Sequence, residues 1–442
     1  MHFDLVIRNA RLTTSAVSEV GDIAVSDGRI AAIGNVDGTG AVEVDAKGLA
    51  LIAGVIDTQV HFREPGLTHK EDLESGTRAA ILGGVTSIFE MPNTNPTTTD
   101  QAALQEKLRM AEGRTWCDYS FFVGASGDNI DQLAELEMEP GTPGIKVFMG
   151  SSTGPLLVDG DDTLRRVLQS GKRRVPVHAE DEARNRERKA LLSEHPDPRE
   201  HPFLRDAESA RLATQRILAL SEETARPVHV LHVSTADELP LLKEAKAKGI
   251  GTTCEVTPQH LWFSAPDCYA RLGSRAQMNP PIRSLEHRDA LRKAVAEGLF
   301  DVFGSDHAPH TLEEKSQPYP ASPSGMPGVQ TILSALLTMR HQGLFDLQTL
   351  VKMASETPAE IYGVKNKGRL EVGYDADFVL IDLDATYLFD RSMVASKCGW
   401  SPFEGEQFVG KVEQVFLRGH RQVQDSVLVG TQCGAKAEFN WK

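Results

Sequence analysis

Between residues 54 and 306, short apolar runs alternate with helix-length stretches, and this alternation limits the possible folds more than any other feature. The runs are GVIDTQVHF, GGVTSIFEM, DYSFFVG, GIKVFM, RVPVHA, PVHVLHV, GTTCEV and DVFGSD. Each reads as a strand buried on both faces, as parallel strands are. Amphipathic periodicity predicts helices over Asp161 to Ser170, Ala207 to Thr224, Ala236 to Lys248 and His287 to Glu297. Such alternation predicts βαβ units, and eight of them over roughly 300 residues predict an α/β protein with a (β/α)8 TIM-type barrel. The alternative is an open doubly wound sheet, but no GxGxxG turn follows the first run.

The chain ends read differently. DLVIRNARL, DIAVSDGRIAAIG and AVEVDAKGLALIAG alternate apolar and polar residues between Gly/Asp turns, as do GRLEVGYDADFVLIDLD and KVEQVFLRGHRQV. Neither end makes a sufficient sheet alone. The expectation is a small β-sandwich domain from residues 1–53 plus 367–442, with the barrel at 54–366. Two loops border the expected barrel mouth: GSSTGPLL after the fourth run, and the Pro-rich Thr311 to Ser324 after the eighth.

The formal net charge of −15 argues against nucleic acid or an anionic membrane as partner, because the long-range field repels phosphate. An anionic substrate then needs a local cation. Five scattered cysteines without a CxxC pair read as reduced thiols. No secretory leader is evident, and no run approaches the ~18 apolar residues of a membrane span. The expected location is the cytoplasm.

Side chains at the C-terminal ends of parallel barrel strands converge on one mouth. His61, Lys146, His178, His232 and Asp306 all lie at or just past such ends. Imidazole and carboxylate suit zinc and similar divalent ions. A histidine alone reads more often as a hydrogen-bonded core residue than as a ligand; together they suggest a shared site. His229, three residues before His232, falls on the opposite face by strand alternation and is assigned to structure. Lys146, within an apolar run, reads as an ion pair or as a carbamylated ligand, since burial favours the neutral amine that adds carbon dioxide. Asp306 could both ligate a metal and take a proton from water.

HFREPG, MPNTNP, GIKVFMGSSTG, HAED, HVLHVST, QMNPP and GSDHAPH, in this order, resemble the cyclic amidohydrolases, and within them most closely the dihydroorotase family. The resemblance implies reversible cyclisation of N-carbamoyl-L-aspartate to L-dihydroorotate in pyrimidine biosynthesis. It implies a zinc centre of one or two ions held by His61, carbamylated Lys146, His178, His232 and Asp306, with Asp306 as general base and acid. It further implies Arg63 and His310 on the substrate carboxylate, Asn93 and Asn279 hydrogen-bonding substrate, and backbone near Gly325 against the ring. A homodimer is the family-based expectation.

The first metal motif departs from the family's HxH: it reads Gln59-Val60-His61. An amide carbonyl is a poorer zinc ligand than imidazole, so Gln59 is not counted as a ligand. The departure keeps open a non-catalytic, dihydroorotase-like subunit supporting aspartate transcarbamoylase. A hydantoinase- or allantoinase-type enzyme is the other alternative. Arg63 speaks against it, because those substrates lack the ring carboxylate an arginine would bind.

Overall fold

A computed structural model describes residues 1–150 and 156–440. Most of the GSSTGPLL loop, residues 151–155, therefore lies outside the described residues. The N-terminal segment contributes strands β1 (His2–Thr13), β2 (Ser18–Ser26), β3 (Arg29–Gly34), β4 (Thr39–Asp45) and β5 (Ala50–Ala53). The barrel strands are β6 (Val55–Val60), β7 (Val85–Glu90), β8 (Asp118–Phe121), β9 (Val123–Gly124), β10 (Ile145–Phe148), β11 (Val175–His178), β12 (Val228–Val230), β13 (Thr253–Val256) and β14 (Val302–Phe303). The chain then returns with β15 (Phe378–Leu388), β16 (Gln407–Leu417), β17 (His420–Gln424) and β18 (Val427–Leu428).

β6, β7 and β8 pair in parallel, as do β9 through β14. β8 and β9 are one strand broken at Phe122, whose ring packs edge-on against Phe89 and Tyr362. The barrel closes where Val60 bridges His307 and the His61 amide donates to the His307 carbonyl at 2.7 Å. Every residue of these strands is buried, which is why the runs lack polar alternation. The helix Ala207–Thr224 has the expected limits, capped by the Asp206 side chain accepting from the Ser209 amide. The expected Ala236 to Lys248 helix divides into a 3-10 turn, Ala236–Glu238, and an α-helix, Leu239–Ala247, with Pro240 in the first turn of the second.

Strands from both chain ends join in one nine-stranded sheet, ordered β18-β17-β16-β15-β5-β1-β2-β3 with β4 beside β1. It forms the β-sandwich around Leu5, Ile7, Ile23, Leu51, Phe378 and Phe416. Its other face shares the barrel's core through Val379, Phe408 and Val415. Residues 435–437 run along β8, where the Tyr119 amide donates to the Ala435 carbonyl at 3.0 Å. Among the described residues, no helix is long and apolar enough to cross a membrane.

A buried ion cluster joins the two parts. Lys367 Nζ lies 2.6 Å from Asp118 on β8, 3.0 Å from Asp375 and 2.7 Å from Asp377. Arg418 contacts Asp118 at 2.7 Å. Burial acts to raise the Asp118 carboxyl, yet Lys367 and Arg418 hold it below its ordinary range. Among the described residues, these three aspartates are the group whose donor atoms all lie within 4.8 Å, as a metal would need. The Lys367 ammonium already fills that nest, so the cluster reads as a joint. Replacing Lys367 by Met strands buried carboxylates and is expected to cost about 3–5 kcal/mol in urea unfolding at neutral pH. A loss near that of an exposed pair, under about 1 kcal/mol, would show that the joint is held by packing instead.

Candidate metal centre

The expected ligands reach the mouth as two pairs. His178 ends β11 and His232 follows β12; their Nδ1 and Nε2 atoms face each other at 2.9 Å. His61 follows β6 and Asp306 follows β14; His61 Nε2 stands 3.3 Å from Asp306 Oδ1. Among the described residues, no mouth trio of His, Cys or acidic side chains has all donor atoms within 4.8 Å. Lys146 acts electrostatically on both pairs.

His232 does not reach this position by strand alternation. β12 stops at Val230, and His232 adopts φ 35°. Asp306 and Arg63 also take positive φ, at 43° and 68°. Three mouth residues thus hold a conformation that L side chains avoid, as functional sites often do. His229 is fully buried with Nδ1 2.7 Å from Thr253 Oγ1, in keeping with a structural role.

The donor chemistry fits a divalent cation. Burial lowers the pKa of His61, His178 and His232 and keeps their rings neutral. His178 Nε2 donates to Glu180 Oε2 at 2.9 Å, which leaves its Nδ1 lone pair facing His232. His61 Nδ1 donates to Asn93 Oδ1 at 2.7 Å, which leaves its Nε2 lone pair facing the Asp306 carboxylate. The facing His178 and His232 nitrogens are the kind of donor a zinc-like cation takes. Lys146 is 0% exposed, and its Nζ has no hydrogen-bond partner. It faces the Phe148 ring at 4.6 Å. Burial brings its pKa down to about 7, so much of the amine is neutral at physiological pH. Gln59 donates from Nε2 to Asp306 Oδ1 at 3.0 Å, and its carbonyl oxygen is buried without a partner.

Arg63, 7% exposed, lies beside this centre. Its Nε donates to the Pro309 carbonyl at 3.2 Å, and its Nη2 stands 3.3 Å from His310 Nε2. Burial lowers its pKa to about 10, leaving it charged at neutral pH. Lys70 Nζ, 3.1 Å from His310 Nδ1, adds a second cation that the sequence did not single out. Gly325 adopts φ 140°, and a Cβ there would come 2.3 Å from the Ala308 carbonyl oxygen. Its amide donates to the Gln277 carbonyl, and Lys315 Nζ donates to the Gly325 carbonyl. Asn279 lines a 310 Å³ cavity with His201, Arg205 and Gln277, and its Oδ1 lies 3.0 Å from His201 Nε2. The loop from Thr311 to Ser324 lines the same cavity through Tyr319, Ser322 and Ser324.

A support missed by sequence reasoning comes from the sandwich side. Trp400 is completely buried, and its indole N–H donates to the His310 carbonyl at 2.7 Å. Nearby, Ser396 and the Lys397 amide bind the buried Glu71. No local pattern marks a tryptophan ninety residues away as part of the mouth.

The Amidohydrolase family profile matches residues 50–421. A dihydroorotase from Methanothermobacter thermautotrophicus is 34% identical over 100% of this chain and 99% of its own length. The multifunctional protein CAD of Squalus acanthias is 35% identical over 84% of this chain, which corresponds to 15% of that protein. Among solved structures, an L-hydantoinase (dihydropyrimidinase) from Arthrobacter aurescens superposes with a TM-score of 0.93 at 30% identity, covering 99% of this chain and 100% of that one.

Replacing Trp400 by Phe leaves the His310 carbonyl without its buried donor and is expected to cost about 1–3 kcal/mol in urea unfolding. Unchanged stability would mean that the carbonyl finds another donor and that the indole N–H does not hold the loop.

Proposed function

The chain belongs to the amidohydrolase family, and we propose that it is a dihydroorotase, a metal-dependent cyclic amidohydrolase interconverting L-dihydroorotate and N-carbamoyl-L-aspartate. The observation that carries the substrate is Arg63: a buried, charged guanidinium beside His310 and within electrostatic reach of Asp306. A planar fork of donors suits a carboxylate. In a chain of net charge −15, this is the local cation an anionic substrate requires.

The residues proposed to hold zinc, as one or two ions, are His61, carbamylated Lys146, His178, His232 and Asp306. When bound, the cation supplies a Lewis acid for the ring amide carbonyl and lowers the pKa of a water towards ~7. Asp306 accepts the proton of the attacking water and delivers it to the ring nitrogen as the C–N bond breaks. Gln59 holds Asp306 in place through its amide N–H. Arg63 and His310 grip the substrate carboxylate, Asn93 and Asn279 hydrogen-bond substrate, and the backbone at Gly325 lies against the ring. In the biosynthetic direction Asp306 starts protonated, and water leaves as the ring closes. The five cysteines are free, in keeping with a reducing cytoplasm. The proposal includes a homodimer and association with an aspartate transcarbamoylase; the match to part of a multifunctional protein supports the latter.

The hydantoinase neighbour makes a hydantoinase-type enzyme the second reading. Zinc content measured alongside hydrolysis of dihydroorotate, hydantoin and allantoin in one buffer separates them. Turnover of dihydroorotate alone is expected. Hydantoin turnover would transfer the assignment, and bound zinc without turnover would favour a non-catalytic subunit.

Two substitutions test the roles. Arg63→Ala is expected to lower kcat/KM about 10- to 100-fold, mostly through KM, from loss of charged hydrogen bonds worth roughly 1.5–3 kcal/mol. An unchanged KM in both directions removes that role. Asp306→Asn should reduce kcat by at least about 10²-fold while substrate still binds; a nearly active variant rules out the proton shuttle.

A further inference from the structure

We propose that Glu180 and Arg205 form a brace that fixes His178 in one tautomer and orientation, making both of them positioning residues for the metal centre. Glu180 is 0% exposed, two residues after His178, and neither its position in the HAED motif nor its residue type announced a role. Its Oε2 accepts from His178 Nε2 at 2.9 Å. Arg205 then clamps the same carboxylate from the other side, Nε to Oε1 at 3.0 Å and Nη2 to Oε2 at 2.6 Å. The clamp is anchored in turn, because the Arg283 guanidinium donates to the Arg205 carbonyl.

The physical argument runs from protons to the ligand. A neutral imidazole carries one N–H, and only its other nitrogen can bind a cation. The Glu180 carboxylate is an obligate acceptor, so the His178 proton goes to Nε2 and the lone pair to Nδ1. That lone pair is the one facing His232 Nε2 at 2.9 Å. Arg205 engages both oxygens of the Glu180 carboxyl, so the acceptor is held in register with Nε2. A carboxylate on the distal N–H also raises the basicity of the ligating nitrogen. Without Arg205, Glu180 would be a buried, less compensated charge that has lost two of the hydrogen bonds orienting it.

Arg205 lies just after the short helix His201–Leu204, in the segment between β11 and the helix Ala207–Thr224. That segment also walls the 310 Å³ cavity, to which Arg205 contributes. The brace therefore joins the cavity wall to a metal ligand through two charge-assisted contacts.

The inference rests on the metal-centre reading above, but concerns zinc affinity and not substrate. The test measures the zinc dissociation constant of the full chain by chelator competition for wild type, Glu180→Gln, Glu180→Ala, Arg205→Met and Arg205→Lys. Glu180→Ala and Arg205→Met are expected to bind zinc roughly 10- to 100-fold more weakly. Glu180→Gln, whose carbonyl still accepts the Nε2 proton, should fall between, and Arg205→Lys should recover part of the loss. Imidazole ¹⁵N NMR of the metal-free protein should show His178 as the Nε2–H tautomer in wild type and as a mixture in Arg205→Met. Zinc affinities within about threefold of wild type, or an unchanged His178 tautomer, would overturn the brace even if unfolding shows lost stability. Should Glu180→Ala fail to fold, the isosteric Gln and the Arg205 variants decide. This ladder of zinc affinities across the variants, together with a wild type that leaves dihydroorotate intact, would support the brace and overturn the enzymatic assignment.

Discussion

Lys146 sits within β10, its second residue, with no exposure, no hydrogen-bond partner and the face of Phe148 as its neighbour. An ammonium in that position is disfavoured, and the surrounding mouth is built from groups that share its problem. Gln59 Oε1 and His232 Nδ1 are likewise buried and unpaired. Each such atom costs about 1–3 kcal/mol. A cation held at the proposed centre would be met by electron-pair donors, since neutral imidazoles, a carboxylate and the proposed lysine carbamate all offer lone pairs.

The rest of the fold bears that cost. The positive φ values at Arg63, His232 and Asp306 add strain of roughly 1–3 kcal/mol each at the same mouth. Against this stand the continuous apolar core from β6 to β16 and the Lys367 cluster binding sandwich to barrel. Trp400 brings the sandwich side into the site itself, through the carbonyl of a proposed substrate-binding histidine. The connection between β15 and β16 is therefore part of the mouth's support, even though no proposed ligand lies on it.

The barrel was readable because parallel strands are apolar throughout, and the residue ending each run stands out against that background. The same logic brought His61, His178, His232 and Asp306 to the mouth. It gave no hint of the backbone by which two of them arrive: His232 and Asp306 both turn in through a positive φ after their strands have ended. Nor did it show that Phe122 splits the third strand to fill an aromatic cluster. Residues whose importance lies in distant partners carried no signal: Trp400 meets His310, Glu180 meets Arg205, and Lys70 meets His310. Gln59 was legible as a departure from the family motif. Only the structure shows that its N–H turns towards Asp306 and its carbonyl away from any protein donor.

A backbone close to an L-hydantoinase and a sequence close to dihydroorotases meet in one chain. The conflict resolves at the level of individual side chains, because the barrel and the ligand pairs serve either ring amide equally. What distinguishes the substrates is the carboxylate, and its proposed counterpart is held at some cost. Arg63 keeps φ 68° where glycine would relieve the strain, and it loses solvation that an arginine elsewhere on the surface would retain. Its own contacts are a carbonyl and a neutral imidazole, neither of which neutralises a guanidinium. A neutral hydantoin ring offers no charge to complete that arrangement. A carboxylate does, and it would bring the reacting ring to the side of Arg63 where His61 and Asp306 stand.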